Sequence, residues 1–335
     1  MRFSILIPVY NTAKYIEQCI QSVIQQDFND YEIILTDDGS TDDSKEICEK
    51  YALGNHKIRF YSRENKGLLA TRREQLKLCN GDYVLFLDSD DYWQDGLLSF
   101  LSAQIDKCNP DMICFGHNVV DNEGNILERD VFVYNKEQVF SVVNHNIDQF
   151  VIDYFANYRL CYLWIKCIKR DIIDIENTYS QFDDVYGEDL LQSVEPVCRA
   201  KSVFYMNKAF YNYRQSSNGM GRNLSPSFVI DTMFVREFLY KYILTHNLGN
   251  KVEEAFLMRC FKDIVHRYEF LLSCCKNYSE FCYYYNEMKQ YQVFKCAVNN
   301  VFKNNCGFHF IRRKFMIRIP FIFYFLRKMK MCLKG

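Results

Sequence analysis

Four apolar runs in the first ninety residues each break off into a polar, mostly acidic rim, and helix-period segments fill the gaps between them. Phe3–Val9 is apolar almost throughout and ends at Pro8-Val9, as expected of a strand buried on both faces. Thr12 is placed to cap a helix whose Ile16, Cys19, Ile20, Val23 and Ile24 share one side. Tyr31–Thr36 reads as a second strand. Ser40-Thr41-Asp42-Asp43 then supplies caps and first-turn carboxylates for a helix reaching Tyr51. Lys57–Tyr61 predicts a third strand, Leu68–Cys79 a helix, Asp82–Leu87 a fourth strand and Asp111–Gly116 a fifth. Repeated β-α units lead to an α/β fold with a mainly parallel central sheet, right-handed crossovers and helices on both faces.

After about residue 120 the pattern loosens into an α+β mixture, with short strands at Ser202–Met206 and Phe210–Tyr213 and helices around 147–156 and 188–199. Beyond 226 only helical periodicity is found, in Phe228–His246, Val252–Cys274 and Glu280–Cys296. The polar stretch Ser216–Ser227 marks the boundary. The expected organisation is therefore a domain over 1–220, with halves of about 1–120 and 121–220, and a helical C-terminal region over 221–335.

Composition narrows the class. Of 335 residues 49% are apolar and 25% charged, which excludes wholesale disorder. The formal charge of −1 gives no bias towards nucleic acid. The charge is uneven, however: no acid follows Glu287, and residues 288–335 hold seven Lys and four Arg. The 15 Cys are scattered without a C-x-x-C pair, which suits reduced, buried thiols in a cytoplasmic protein. No secretory leader and no membrane-spanning stretch is expected.

The rims carry the chemistry. In an open parallel sheet, ligands sit beyond the carboxyl ends of the strands. Here those ends read Tyr10-Asn11, Asp37-Asp38-Gly39-Ser40 and Asp88-Ser89-Asp90-Asp91. So many carboxylates repel one another unless cations or donors lie among them. Asp88 and Asp90, at i and i+2 after a buried strand, suit Mg²⁺ or Mn²⁺ with phosphate oxygens completing the shell. For Asp42 and Asp43 a helix-cap role is the simpler reading.

Four segments, SILIPVYN (4–11), TDDGSTD (36–42), ENKGLLATRR (64–73) and GDYVLFLDSDDYW (81–93), occur in the order and spacing of glycosyltransferase family 2, which this chain resembles. Fainter similarity continues at Leu163-Trp164-Ile165-Lys166 and Tyr186-Gly187-Glu188-Asp189-Leu190. The resemblance implies a GT-A fold and an inverting, metal-assisted enzyme with a nucleotide-sugar donor, most simply UDP-linked. Pro8, Tyr10 and Asn11 would line the nucleotide pocket, with Tyr10 against the base. Asp38 would accept from the uracil N–H, and Asp37 would support that loop. Gly67 would let backbone approach the donor, and Arg72 would pair with phosphate or the Asp cluster. Asp88 would face the ribose and, with Asp90, the metal. The family commonly has Ala-Arg-Asn where this chain has Thr71-Arg72-Arg73, a departure at the second Arg.

The acidic pair Glu188-Asp189 resembles the family's acceptor-side carboxylates. Asp189 would be the base and Glu188 would orient base or acceptor; a helix cap is the structural alternative. Trp164 would stack on a sugar or lie in the core. Arg214, after the strand Phe210–Tyr213, would reach the diphosphate from a mobile loop, or be a solvated or core-edge Arg. The acceptor implied is a growing surface polysaccharide or oligosaccharide, free or lipid-linked. The basic, aromatic tail Phe308–Lys334 suits peripheral contact with an anionic membrane, or a terminal helix with a solvated basic face. A nucleotidyltransferase would need a basic triphosphate loop where PVYN stands, and a non-catalytic binding relative would lack the acidic pair.

Overall fold

The computed structural model describes residues 1–182, 185–215 and 224–303, together with Ile317, Tyr324 and Phe325. The chain divides into two compact units. The first comprises Met1–Val151, Arg159–Asp184 and Glu188–Gly219; the second comprises Ile152–Tyr158, Val185–Gly187 and Met220–Gly335.

The described strands are β1 (Phe3–Val9), β2 (Tyr31–Asp37), β3 (Ile58–Ser62), β4 (Tyr83–Phe86), β5 (Tyr92–Trp93), β6 (Met112–Val120), β7 (Ile126–Val131), β8 (Gln138–Ser141), β9 (Lys166–Lys169) and β10 (Ser202–Arg214). They form one sheet in the order β3-β2-β1-β4-β9-β6-β10-β5, with β7 on β6 and β8 on β10. The β3-β2-β1-β4 half is parallel throughout, and β6 and β10 are also parallel. β9 enters antiparallel between β4 and β6. This is the α/β, mainly parallel sheet that the repeating units predict.

Helices α1 (Ile16–Ile24), α2 (Ser44–Gly54) and α3 (Leu68–Leu78) follow β1, β2 and β3 of this half, and α4 (Leu97–Cys108) follows β5. The apolar face of α1 (Ile16, Cys19, Ile20, Val23) is wholly buried with Ile5, Ile7, Leu35, Leu85 and Phe115 of the sheet. Each such side chain contributes roughly 1.5–3 kcal/mol when removed from water. β1 pairs with β2 over its whole length but with β4 only from Phe3 to Leu6. The chain therefore turns away just after Phe86 while β1 and β2 continue. That is a strand-order switch point, the place where open sheets of this kind bind ligands, and the Asp88–Asp91 run follows it in the chain.

Three local expectations are corrected. Thr12 does not cap α1 with its side chain: its hydroxyl donates to Ser89 Oγ at 3.0 Å, and its carbonyl accepts from Tyr15 N and Ile16 N. The two strands expected at 202–206 and 210–213 are one, β10, whose register on β6 shifts between Tyr205 and Tyr211. The bulge breaks the alternation that would have joined them. The helix expected over Glu280–Cys296 is two, because Tyr291 is extended (φ −64°, ψ 137°).

The second unit contains α7 (Phe228–Thr245), α8 (Asn250–Cys274), α9 (Tyr278–Gln290) and α10 (Gln292–Lys303); α5 (Ile147–Ala156) and α6 (Glu188–Arg199) precede them. Its core is aromatic: Tyr268 meets Phe281 at 5.6 Å and Tyr285 at 5.7 Å, both edge-on. Among the described residues the cysteines are free and most are buried, and no helix is long and apolar enough to cross a membrane. Most of the Ser216–Ser227 boundary and most of the Phe308–Lys334 tail lie outside the described residues.

Candidate active site

The exits of β1 and β2 are tied together by short side chains. Pro8 is buried within β1, while Tyr10 stands 50% exposed at its exit. Asn11 takes a left-handed conformation (φ 52°), which Asn tolerates. Its side-chain oxygen accepts from Thr41 N at 2.8 Å, and its own N–H donates to Ser40 Oγ at 3.0 Å. Asp37 accepts from Ser40 N and from Ser62 Oγ, so it braces the turn. Gly39 sits in that turn at φ 76°, where a Cβ would lie 2.8 Å from Asn65 N.

Asp38 is buried and fully engaged. It accepts from Lys66 N at 2.9 Å and Gly67 N at 2.8 Å, and pairs with Arg63 at 3.1 Å. Burial raises its carboxyl above the ordinary range, against the lowering by Lys66 N and Arg63. Asp38 thereby shapes the loop into α3, where Gly67 takes φ 87°. A base N–H would have to share its oxygens with that loop.

Arg72, on α3, is 1% exposed. Its two terminal nitrogens each donate at 2.7 Å, Nη2 to Asp88 Oδ1 and Nη1 to Asp189 Oδ1. Its charge is held firmly: burial opposes it, but Asp88, Asp189 and Glu188 outweigh burial. Arg72 thus pairs with the acidic cluster, through Asp88, and also with Asp189. Asp189 opens α6 beside Glu188. Its carboxyl is pushed up to about 6, first by burial, with Arg72 opposing and Glu188 and Asp88 adding. Lys166 is fully buried in the same unit, donates to the Tyr162 carbonyl, and is pushed down by burial.

The acidic loop after β4 is held from behind. Asp91 is 2% exposed and accepts from Tyr211 Oη and Arg214 N, both at 2.6 Å. Asp88 N donates to Tyr211 Oη at 3.3 Å. Arg214 Nε donates to the Asp90 carbonyl at 2.8 Å, and its Nη2 to Gln18 Oε1 at 2.7 Å. Its guanidinium lies over Tyr15 at 4.7 Å and Tyr92 at 5.3 Å. Arg214 is therefore a buried brace of the acidic loop, and the mobile-loop reading is corrected. Asp90 is pushed up to about 6 by burial and by Asp88.

The structure thus brings Arg72, Asp88 and Asp189 into direct contact and sets Asp90 beside them, with Asn11, Asp37, Asp38 and Gly67 on the adjoining rim. Trp164 lies in the core at 5% exposure. Sequence reasoning missed Asp91, Tyr211 and Lys166 as parts of this site. Asp91 stood in the quoted acidic run; nothing local singled out Tyr211, which reaches the site through sheet pairing. Among the described residues no group of three or more His, Cys, Asp or Glu is disposed to hold a metal by itself.

The family model for glycosyl transferase family 2 matches residues 4–160. Glycosyltransferase GlyG of Streptococcus pneumoniae is 33% identical over 229 residues, covering 65% of this chain and 72% of GlyG. A GalNAc(5)-diNAcBac-PP-undecaprenol beta-1,3-glucosyltransferase of Campylobacter jejuni is 25% identical over 314 residues, 90% of this chain and 88% of that one. The chain spans about a third of the length of another pneumococcal relative, GlyA. Among solved structures, residues 1–349 of S. aureus TarS in complex with UDP-GlcNAc match with a TM-score of 0.65 at 23% identity, over 87% of this chain and 80% of that one.

Proposed function

The chain belongs to glycosyltransferase family 2, and on that premise we propose that it moves a sugar with inversion from a nucleotide-sugar to a hydroxyl of a surface polysaccharide or oligosaccharide, free or lipid-linked. The observation that carries this reading is the single buried guanidinium of Arg72 shared between Asp88, at the strand end where a donor diphosphate would lie, and Asp189, the candidate base. The likeness to a TarS fragment crystallised with UDP-GlcNAc supports a UDP-linked donor. The Campylobacter relative, named for an undecaprenol-linked substrate, supports a lipid-linked acceptor. Residues 1–220 would be the catalytic domain, with the donor half over about 1–120 and the acceptor half over about 121–220.

Tyr10 would lie against the base, with Pro8 and Asn11 forming that wall and Asp37 and Asp38 ordering the loop at its edge. Gly67 lets the backbone of that loop come close to the donor. Asp189 would take the acceptor proton as its oxygen attacks the anomeric carbon; that proton becomes acidic only as the bond forms, so a carboxylate suffices. Burial supports this role by raising the carboxyl, and Arg72 fixes its direction. Glu188, next to it, would orient the acceptor.

The residues present fit a divalent cation, Mn²⁺ or Mg²⁺. Asp90 is half-buried beside Asp88, and desolvation and the Asp88 charge push its carboxyl up to about 6, with Arg214 opposing. Asp88 and Asp90 would hold the ion, leaving most positions for diphosphate oxygens, as hard cations at phosphate sites prefer. The ion would supply charge neutralisation of the departing diphosphate. The eleven cations of residues 288–335, with no acid among them, support peripheral contact with an anionic, inner-face membrane. The test is release of UDP from a panel of UDP-sugars, with and without Mn²⁺. Release under no condition sinks the reading.

A further inference from the structure

Trp164 is the aromatic the sequence offers for stacking on a sugar, yet it is buried and already sandwiched. Its ring packs nearly parallel to Tyr162 (4.8 Å, 13°) and to Tyr213 (5.6 Å, 5°), with His117 edge-on at 4.8 Å. The most exposed ring of that stack is Tyr213, at 39%. Tyr211, Asn212 and Tyr213 pair in regular register with His117, Asn118 and Val119 of β6, beyond the bulge. Tyr211 and Tyr213 therefore leave the same face of β10, about 6.6 Å apart along the strand. Tyr211 ends on the Asp91 carboxylate and the Asp88 N–H. On the other side of Tyr213, Arg214 holds Asp91 and the Asp90 carbonyl. Tyr213 is thus fixed between the two residues that brace the acidic loop, one strand repeat from the carboxylates of the site.

We infer that Tyr213 is a stacking platform for a pyranose ring of the acceptor saccharide. A phenol face is negative, and the axial C–H groups of a pyranose present a weakly positive, apolar face that complements it. Trp164 behind the ring holds its orientation, so little side-chain freedom is lost when a sugar settles on it. Stacking of this kind selects a ring with an uncluttered C–H face, as in an equatorially substituted hexose or N-acetylhexosamine, and leaves the hydroxyl to be glycosylated at the rim. This rests on the glycosyltransferase reading and adds to it where the acceptor lies.

The test titrates the full chain, without donor, with the methyl β-glycosides of glucose, galactose, N-acetylglucosamine and N-acetylgalactosamine, followed by saturation-transfer NMR. At least one is expected to bind, with saturation concentrated on the axial ring protons. Tyr213→Ala should weaken that binding by at least about tenfold, while Tyr213→Phe and Tyr213→Trp stay within about threefold. Three results overturn the platform: no glycoside binding to the wild type, a Phe variant as weak as the Ala variant, or an equal loss of UDP binding in Tyr213→Ala. UDP release from UDP-sugars by the wild type is measured alongside. If it occurs while glycoside binding ignores Tyr213, the platform alone fails; if it never occurs, the enzymatic reading fails.

Discussion

Asp88 and Asp189 are joined by one side chain: Arg72 donates to Asp88 Oδ1 from Nη2 and to Asp189 Oδ1 from Nη1, each at 2.7 Å. A carboxylate at a strand end and one at a helix start are thereby held at a fixed spacing by a planar fork. Lys could offer only a point charge there.

Removing the fork should be costly. Arg72→Ala leaves two carboxylates facing each other in a low-water site. Loss of stability of about 3 kcal/mol is expected, the lower end for breaking a buried pair because both acids keep some contact with water. Arg72→Lys should fold better but transfer at least about 100-fold more slowly, because the geometry of both acids is lost. Denaturant unfolding and UDP release measure the two effects; wild-type turnover in Arg72→Lys would show that the fork is dispensable.

Metal and pH should be linked through Asp90. Its carboxyl is pushed up to about 6 by burial and Asp88, against about 3.9 unfolded. Between those values the folded chain binds more protons than the unfolded one. This contribution to stability is therefore full below about 4 and is lost as pH rises through about 6. The metal-free protein should melt higher at pH 5.5 than at 7.5, and Asp90→Asn should flatten that difference. Mn²⁺ should raise the melting temperature more at pH 7.5 than at 5.5, because protons compete for the same oxygens. A pH-independent Mn²⁺ shift, or one retained in Asp90→Asn, would remove Asp90 from the cation site.

Asp38 should matter to donor binding through its loop. Its oxygens hold Lys66 N and Gly67 N, so Asp38→Ala should loosen the entry to α3. It should cut the UDP-induced melting shift, measured with Mn²⁺ present, by more than half. A larger shift with GDP or CMP than with UDP would overturn the uridine preference.

The parallel half of the sheet was legible because each strand there is a short apolar run ending in a polar turn, a signal that lies within a dozen residues. The acidic rims were legible for the same reason. The β10 bulge was not, because its irregularity exists only against β6. Nor was the break at Tyr291, since aromatic and apolar residues continue at helical spacing across it. Arg214 shows the limit most clearly. Nothing adjacent in sequence tells a buried brace from a solvated cation; its partners Asp90, Asp91 and Gln18 arrive through the sheet. Trp164 was ambiguous alone, and only its stack on Tyr162, Tyr211 and Tyr213 places it in the core.

The basic tail should act at a surface. Each cation near an anionic bilayer contributes about 1 kcal/mol, screened within a Debye length. The full chain should pellet with anionic vesicles, leave neutral ones in the supernatant, and come off in high salt. Truncation after about Asn305 should weaken pelleting. Equal pelleting of both chains would assign the basic face to solvent.

Asp189 is where the account is most exposed to a single measurement. Its carboxyl lies near 6 through burial, so kcat/KM should fall as pH drops through that value and the base is protonated. At pH 7.5, with an accepted UDP-sugar, Mn²⁺ and acceptor, Asp189→Asn should transfer at least about 100-fold more slowly than the wild type. It should keep the UDP-induced melting shift, because the base acts on the acceptor. Transfer by Asp189→Asn at the wild-type rate, with Glu188→Gln inactive, would contradict the account and move the base to the neighbouring residue.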